Sequence, residues 1–435
     1  MNITQAVQTI SRQLLRLAAG GALLCQSAWA LDCTSPRWVS LWQSAPADAS
    51  LIALSPDIRI NFPMGPNQSY RQVFSPLGGG ATLRLKFSNR FSQSPLIIRS
   101  ANLALQTVGA AIDPATLTTV RFNNGQSAVT VPAGQEIYSD PVSFRFNSLD
   151  KLSVSIATGD TAANFLPTGH MVGLEYSYVT LPRAGDHSAD IQGSAYLFKT
   201  SRRHLLAGME VLAPAHTASV VTLGDSITDG YQSGIGANQR YPDFLKRRID
   251  DAGLPFFVVN AGISGNQVAK DSPFPQFGVS ALNRLHADVL QVSGVSDVIL
   301  LEGINDIGQD YFKLFDYWNR YNKIINAYQT LIRNMQMRGL KVMQGTLTPS
   351  GSAFNPFYSG PLARKLRQDV NWWIRNKSPA DTIVDFDAAV RSPSNPEVID
   401  LRYDAGDGIH FNGAGYARLA DAVDLNRFQR SACRH

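Results

Sequence analysis

The sequence predicts two layered regions: an antiparallel β-sandwich, jelly-roll-like in size, followed by a parallel sheet covered by helices on both faces. Three observations carry this. At 435 residues the chain is too long for one ordinary hydrophobic core. Up to about residue 200 the apolar residues recur at period two, with almost no helical periodicity. From about Ser219 onward, short apolar runs alternate with segments of three- and four-residue spacing, the βαβ pattern. The division expected is a cleaved leader over 1–30, the sandwich over 31–200 and the α/β domain over 201–435.

In the first region, Thr82-Leu83-Arg84-Leu85-Lys86-Phe87, Val142-Ser143-Phe144-Arg145-Phe146 and Leu152-Ser153-Val154-Ser155-Ile156 each present one apolar face. Asn123-Asn124-Gly125, between Thr119–Phe122 and Ala128–Val131, predicts a hairpin turn. The polar stretch from Pro182 to Gly193, or slightly beyond, marks the expected boundary. It contains no Pro/Ser/Gly linker run, which predicts packed domains rather than a swinging module.

In the second region the strand candidates are Val220–Leu223, Phe256–Val259, Val298–Leu301, Val342–Leu347 and Ile383–Phe386. Tyr321, Ile324, Ile325, Tyr328, Leu331, Ile332 and Met335 predict a helix between the third and fourth, ended by Gly339. Buried on both faces, such a sheet binds ligands beyond the carboxyl ends of its strands.

The N-terminus has the pattern of a secretory signal. Arg12 and Arg16 precede the apolar Leu17–Cys25, and Ala28-Trp29-Ala30 supplies a small-x-small cleavage site. The mature chain would start at Leu31 and be secreted or periplasmic, and no segment approaches the ~20 apolar residues of a transmembrane helix. Cleavage removes Cys25 and leaves Cys33 and Cys433, which are expected to pair in an oxidising compartment. Tying the two chain ends together would stabilise by on the order of 5 kcal/mol on the chain-entropy account. Hydrophobic residues at 44% and charged residues at 17% describe a globular protein, and the net charge of +5 is spread without a Lys/Arg run. That reads as solubility and excludes a nucleic-acid-binding role.

Residues with chemistry fall where strands stop. Gly224-Asp225-Ser226 follows the first strand. Alone it is a helix cap or a turn, and Thr228 keeps it from being a G-x-S-x-G elbow. After the second comes Asn260-Ala261-Gly262-Ile263-Ser264-Gly265-Asn266, whose glycines allow a tight turn with an outward N–H. After the third comes Glu302-Gly303-Ile304-Asn305-Asp306, where an amide could donate to an oxyanion without carrying charge. Near the C-terminus lies Asp407-Gly408-Ile409-His410. Its spacing lets a carboxylate reach the histidine Nδ1–H and leaves Nε2 free; Asp404 is a rival with less simple geometry.

Taken together, these four blocks resemble the SGNH hydrolases, also called the GDSL esterase and lipase family, over about residues 215–425. Ile227 stands where the family name has Leu, a conservative apolar change. The resemblance implies a flavodoxin-like three-layer α/β/α hydrolase domain and a carboxylic ester hydrolase working through an acyl-enzyme. By it, Ser226 is the nucleophile, His410 the general base and Asp407 its orienting carboxylate. The oxyanion donors are the Ser226 and Gly265 backbone N–H groups and the Asn305 side chain.

No metal or cofactor is expected: the remaining histidines are scattered without ligand spacing, and no Walker or dinucleotide glycine pattern occurs. The expected partner of a monomeric protein is a small-molecule or carbohydrate ester, with a short acyl or acetyl group, by fold-level analogy. Two other readings stay open, a lipid or phospholipid acyl hydrolase and an inert glycan-binding protein; the same triad also permits acyl transfer to an acceptor other than water.

Overall fold

A computed structural model describes residues 34–50, 64–160, 168–309 and 316–429. The expected leader and the Cys33–Cys433 bond lie outside the described residues. The first half forms two facing antiparallel sheets and a small third one ordered Arg203–His204, Thr168–His170, Ala47–Asp48. One of the facing sheets is ordered Arg37–Gln43, Leu206–Ala213, Gly80–Ser88, Glu136–Tyr138, with Val142–Phe146 also on Gly80–Ser88. The other runs Phe198–Thr200, Ser177–Val179, Ser69–Phe74, Leu152–Thr158, Leu96–Leu105, Thr118–Val120, with Val129–Val131 also on Leu96–Leu105. Alternation explains the layer between them. Leu83, Leu85 and Phe87 from one sheet meet Leu103, Val154 and Ile156 from the other in a single buried cluster. Each such side chain contributes about 1.5–3 kcal/mol of burial.

Two sequence expectations need correction here. The antiparallel region does not stop at residue 200: Leu206–Ala213 pairs with both Arg37–Gln43 and Gly80–Ser88. The polar stretch before it is a surface excursion of the sandwich and not its end, so the architecture changes between Ala213 and Ala218. The Asn123-Asn124-Gly125 turn does close a hairpin, but with a single rung, Phe122 to Gln126. Beyond that rung both arms pair with Leu96–Leu105 instead of with each other, because that strand offers them a longer buried partner.

Ala218–Gly224, Phe256–Gly262, Val295–Leu301, Lys341–Gly345 and Thr382–Val384 form one parallel sheet, with the second strand at one edge and the first between the second and third. Successive side chains of the first strand serve opposite layers. Val221 and Leu223 join Ile324, Leu331, Leu366 and Ile374 of the Tyr317–Met337 and Pro361–Lys377 helices. Val220 joins Leu245, Phe386 and Leu419 of the Tyr241–Asp251, Phe386–Val390 and Gly413–Asp421 helices. The last strand is shorter than expected, because Asp385 caps the helix that starts at Phe386. A strand order that reverses beside the first strand creates a crevice at its carboxyl end. None of the described helices is long and apolar enough to cross a membrane.

The sandwich and the parallel sheet are joined by polar contacts. Ser40 N–H donates to Ser293 O at 2.9 Å, Ser219 Oγ donates to Ser40 O at 2.7 Å, and Arg90 pairs with Asp288 at 2.8 Å.

Candidate active site

Ser226 begins the four-residue helix Ser226–Asp229 directly after the first parallel strand. Asp225 is its cap, accepting the Ile227 N–H at 3.0 Å, so the chain turns sharply and leaves the Ser226 side chain at the crevice. Its Oγ lies 2.8 Å from His410 Nε2. Across the ring, Nδ1 lies 2.7 Å from Asp407 Oδ2. An ionised carboxylate only accepts, so Nδ1 carries the hydrogen and Nε2 is left to accept from the serine.

Asp407 is a strongly solvated anion. Besides the ring it receives His410 N–H at 2.8 Å, Ile409 N–H at 3.1 Å and Gln232 Nε2 at 3.3 Å. Partial burial works to raise its pKa, but these hydrogen bonds and the electrostatic attraction of the His410 ring outweigh it and hold the carboxyl well below the usual range. Asp404, the rival, is turned away: its Oδ1 accepts the Gly406 and Gly408 N–H groups and shapes the loop.

The glycine block forms a tight turn. Asn266 N–H donates to Ile263 O at 3.0 Å, and Gly265 has φ 83°. A hydrogen-bonded turn with positive φ at its third residue is the type II pattern that glycine suits. There is also no room for a side chain, since a Cβ on Gly265 would lie 2.5 Å from the Phe277 ring. Neither Ser226 N–H nor Gly265 N–H has a backbone acceptor among the described residues.

Asn305 sits in the Ile304–Gly308 helix at the end of the third strand. Its Nδ2 donates to Asn266 O at 2.9 Å, which fixes the amide and turns Oδ1 toward Tyr358, whose hydroxyl donates to it at 2.8 Å. One N–H of the amide stays unused by these two bonds. Gly308 makes space for this arrangement, because any Cβ there would fall 2.1 Å from the Tyr358 ring.

These groups line one open cavity of about 400 Å³, together with Met171, Tyr231, Phe277, Phe354 and Ile409. Tyr231 packs against the His410 ring with centroids 4.8 Å apart. The structure therefore brings all five residues singled out for the site, Ser226, Gly265, Asn305, Asp407 and His410, to one cavity. Tyr358, Met171 and Tyr231 were not among them. Nothing local marks a tyrosine 53 residues beyond Asn305 as its partner.

Residues 222–418 match the GDSL-like lipase/acylhydrolase family, a match that supports a carboxylic ester hydrolase. Among solved structures, a carbohydrate acetylesterase from Sinorhizobium meliloti is 18% identical, with 47% of this chain and 96% of that one covered at TM-score 0.33. An aryl esterase of M. smegmatis is likewise 18% identical, with coverages of 47% and 96% at TM-score 0.34. A lipase/acylhydrolase from Enterococcus faecalis is 20% identical, with 49% and 99% covered at TM-score 0.34. No curated protein matches this chain significantly.

Proposed function

We propose that the protein is a secreted serine esterase that removes short acyl groups, acetyl above all, from carbohydrate esters. The observation that carries the chemistry is the line Ser226 Oγ, His410 Nε2, His410 Nδ1, Asp407 Oδ2, with links of 2.8 and 2.7 Å, opening on a cavity beside Asn305 and Gly265. In the first step His410 Nε2 takes the Ser226 proton while Oγ bonds to the ester carbonyl carbon. The negative charge that develops on the carbonyl oxygen is met by the Ser226 and Gly265 N–H groups and the spare N–H of Asn305. The imidazolium then gives its proton to the departing alkoxide oxygen, leaving the acyl group on Ser226. Water repeats the sequence: His410 takes its proton, the hydroxyl oxygen bonds to the acyl carbon, and Ser226 leaves with the proton returned.

Supporting the substrate reading, the cavity is small and its rim carries exposed rings, Tyr231 at 42% and Phe354 at 82%. Flat amphipathic faces of this kind suit a sugar ring, which has an apolar C–H face and polar edges. The test pairs a variant with a substrate series. Ser226→Ala is expected to lose roughly 10⁴-fold or more in kcat on an activated acetyl ester while folding normally. Full activity in that variant sinks the reading. Across activated esters from acetate to long chains, assayed beside acetylated polysaccharides, acetate is expected to be preferred; a long-chain preference would mark a lipid acyl hydrolase.

A further inference from the structure

The antiparallel half reaches the site at His170 and its neighbour Met171. His170 lies in the strand Thr168–His170 of the sandwich region and is buried, as is Asp229 at the end of the helix that Ser226 begins. Both His170 ring nitrogens face acceptors. Nδ1 is 3.0 Å from Ala45 O; Nε2 is 3.0 Å from Asp229 Oδ1 and 3.1 Å from Val172 O. A carbonyl oxygen never donates and an ionised carboxylate does not either, so both nitrogens must carry hydrogen and the ring is an imidazolium. Burial disfavours that charge, but the Asp229 charge and hydrogen bond, with the bond to Ala45 O, raise its pKa overall.

The other oxygen of the same carboxylate works on the oxyanion side. Asp229 Oδ2 accepts the Ser264 N–H at 3.0 Å and the Ser264 hydroxyl at 2.7 Å. Ser264 is the second residue of the type II turn whose third is Gly265. Ala45 and Ala47, also of the sandwich region, pack on Ile263, the first residue of that turn. The neighbour of His170, Met171, lines the cavity itself.

We propose that His170 is a positioning residue of the esterase site, holding Asp229 so that Asp229 fixes the Ser264–Gly265 turn and aims the Gly265 N–H at the oxyanion. The sandwich region is then part of the active site and not an appended module. This rests on the reading of Ser226 as nucleophile. The charged groups around the pair are Asp229 from the nucleophile helix and Arg203 from the Arg203–His204 strand, with Glu175 and Arg240 beyond them. Arg203 opposes the His170 charge and Asp229 supports it, so a rise in pH removes the proton and with it one of the two donated hydrogen bonds.

The test uses the full chain and an activated acetyl ester. His170→Gln keeps a donor near Asp229 but neither the charge nor the second donor. It is expected to lower kcat roughly 10-fold, a fraction of the ~10²–10³ that follows loss of an oxyanion donor outright, with KM unchanged. The fall in wild-type kcat at high pH, as the imidazolium deprotonates, is expected to be absent from the variant. Combined with Ser264→Ala, the loss in kcat is expected to be smaller than the product of the two single losses, because both act through one carboxylate. His187→Ala, elsewhere in the same half, serves as the control with unchanged kcat. Should the glutamine variant not fold, Ser264→Ala alone carries the expectation of lower kcat at constant KM. Wild-type kcat in a folded His170→Gln or Ser264→Ala protein, or a high-pH limb that persists in His170→Gln, overturns the proposal. If Ser226→Ala is inactive while these variants are fully active, only this inference fails; if Ser226→Ala is active, the esterase reading itself does.

Discussion

Acids on two sides of the nucleophile have their pKa values moved in opposite directions. On the cavity side, Asp407 accepts hydrogen bonds from His410 Nδ1, His410 N–H, Ile409 N–H and Gln232, and its pKa is held low. Beneath the nucleophile, Asp225, Glu302 and Asp306 are buried beside Arg284. Burial pushes all three up, Asp306 to about 6, and their mutual repulsion adds to it for Asp225 and Glu302. Neither carboxyl oxygen of Glu302 has a hydrogen-bond donor among the described residues. The lesson is that proximity to the reacting centre does not make an acid an anion; donors and water do. A carboxylate that must stabilise an imidazolium is therefore kept at the rim, and the acids packed under the serine stay neutral more easily.

The largest expected effect breaks the cavity side of this comparison. Asp407→Asn keeps the shape of the side chain but offers an amide where only an acceptor serves, so the ring loses its fixed tautomer. A fall in kcat on the order of 10³–10⁴ is expected with the fold intact. Steady-state kinetics with an activated acetyl ester measure it; a loss below tenfold would mean that Asp407 does not orient His410.

Next come the donors to the oxyanion. Asn305→Ala is expected to lower kcat by roughly 10² to 10³ without change in KM. Tyr358→Phe removes only the hydroxyl that holds the amide, so roughly a tenfold loss is expected, and none in an Asn305→Ala background. A residual Tyr358 effect in that background would show that the tyrosine acts on substrate directly.

These residues also show how far the sequence reaches. Ser226, Gly265 and Asn305 were legible because each follows an apolar run that is recognisably a strand, and strand ends converge in a parallel sheet; the Asp407/His410 pair was legible from its own three-residue spacing. Leu331 and its neighbours were legible because helical spacing is a local property. The Tyr358–Asn305 and His170–Asp229 contacts join residues 53 and 59 positions apart whose local patterns are those of ordinary loop and strand residues. Asp229 stood three residues past Ser226 in the same motif, yet its partner lies in the other half of the chain. The Leu206–Ala213 strand was missed because a polar excursion before it imitates a linker, and only pairing with Arg37–Gln43 and Gly80–Ser88 shows where it belongs.

The smallest effect sharpens the buried side. Glu302 has a raised folded-state pKa, so its neutral form is the one the fold favours. A group of this kind contributes stability that is fully present below its unfolded pKa and is lost as pH rises through the folded one. Glu302→Gln has nearly the shape of the neutral acid and cannot ionise. Its Tm is expected to match wild type near pH 4, below the unfolded glutamate pKa of ~4.3, and to exceed it by a few degrees near pH 9, where wild type has lost that contribution. Calorimetry at both pH values decides it. Arg284 Nη2 lies 3.5 Å from Glu302 Oε2, too far for a well-formed hydrogen bond but near enough for an ion pair. If that pair were ionised in the native protein, the glutamine would leave a buried guanidinium uncompensated and destabilise by about 3–5 kcal/mol at both pH values. Arg284 has other acceptors, Asn266 Oδ1 at 2.8 Å, Ala261 O at 2.6 Å and Gly224 O at 2.9 Å, with Asp288 at 3.3 Å as its counter-charge. It is therefore satisfied without Glu302, which is why the pH-dependent gain is the outcome the geometry favours.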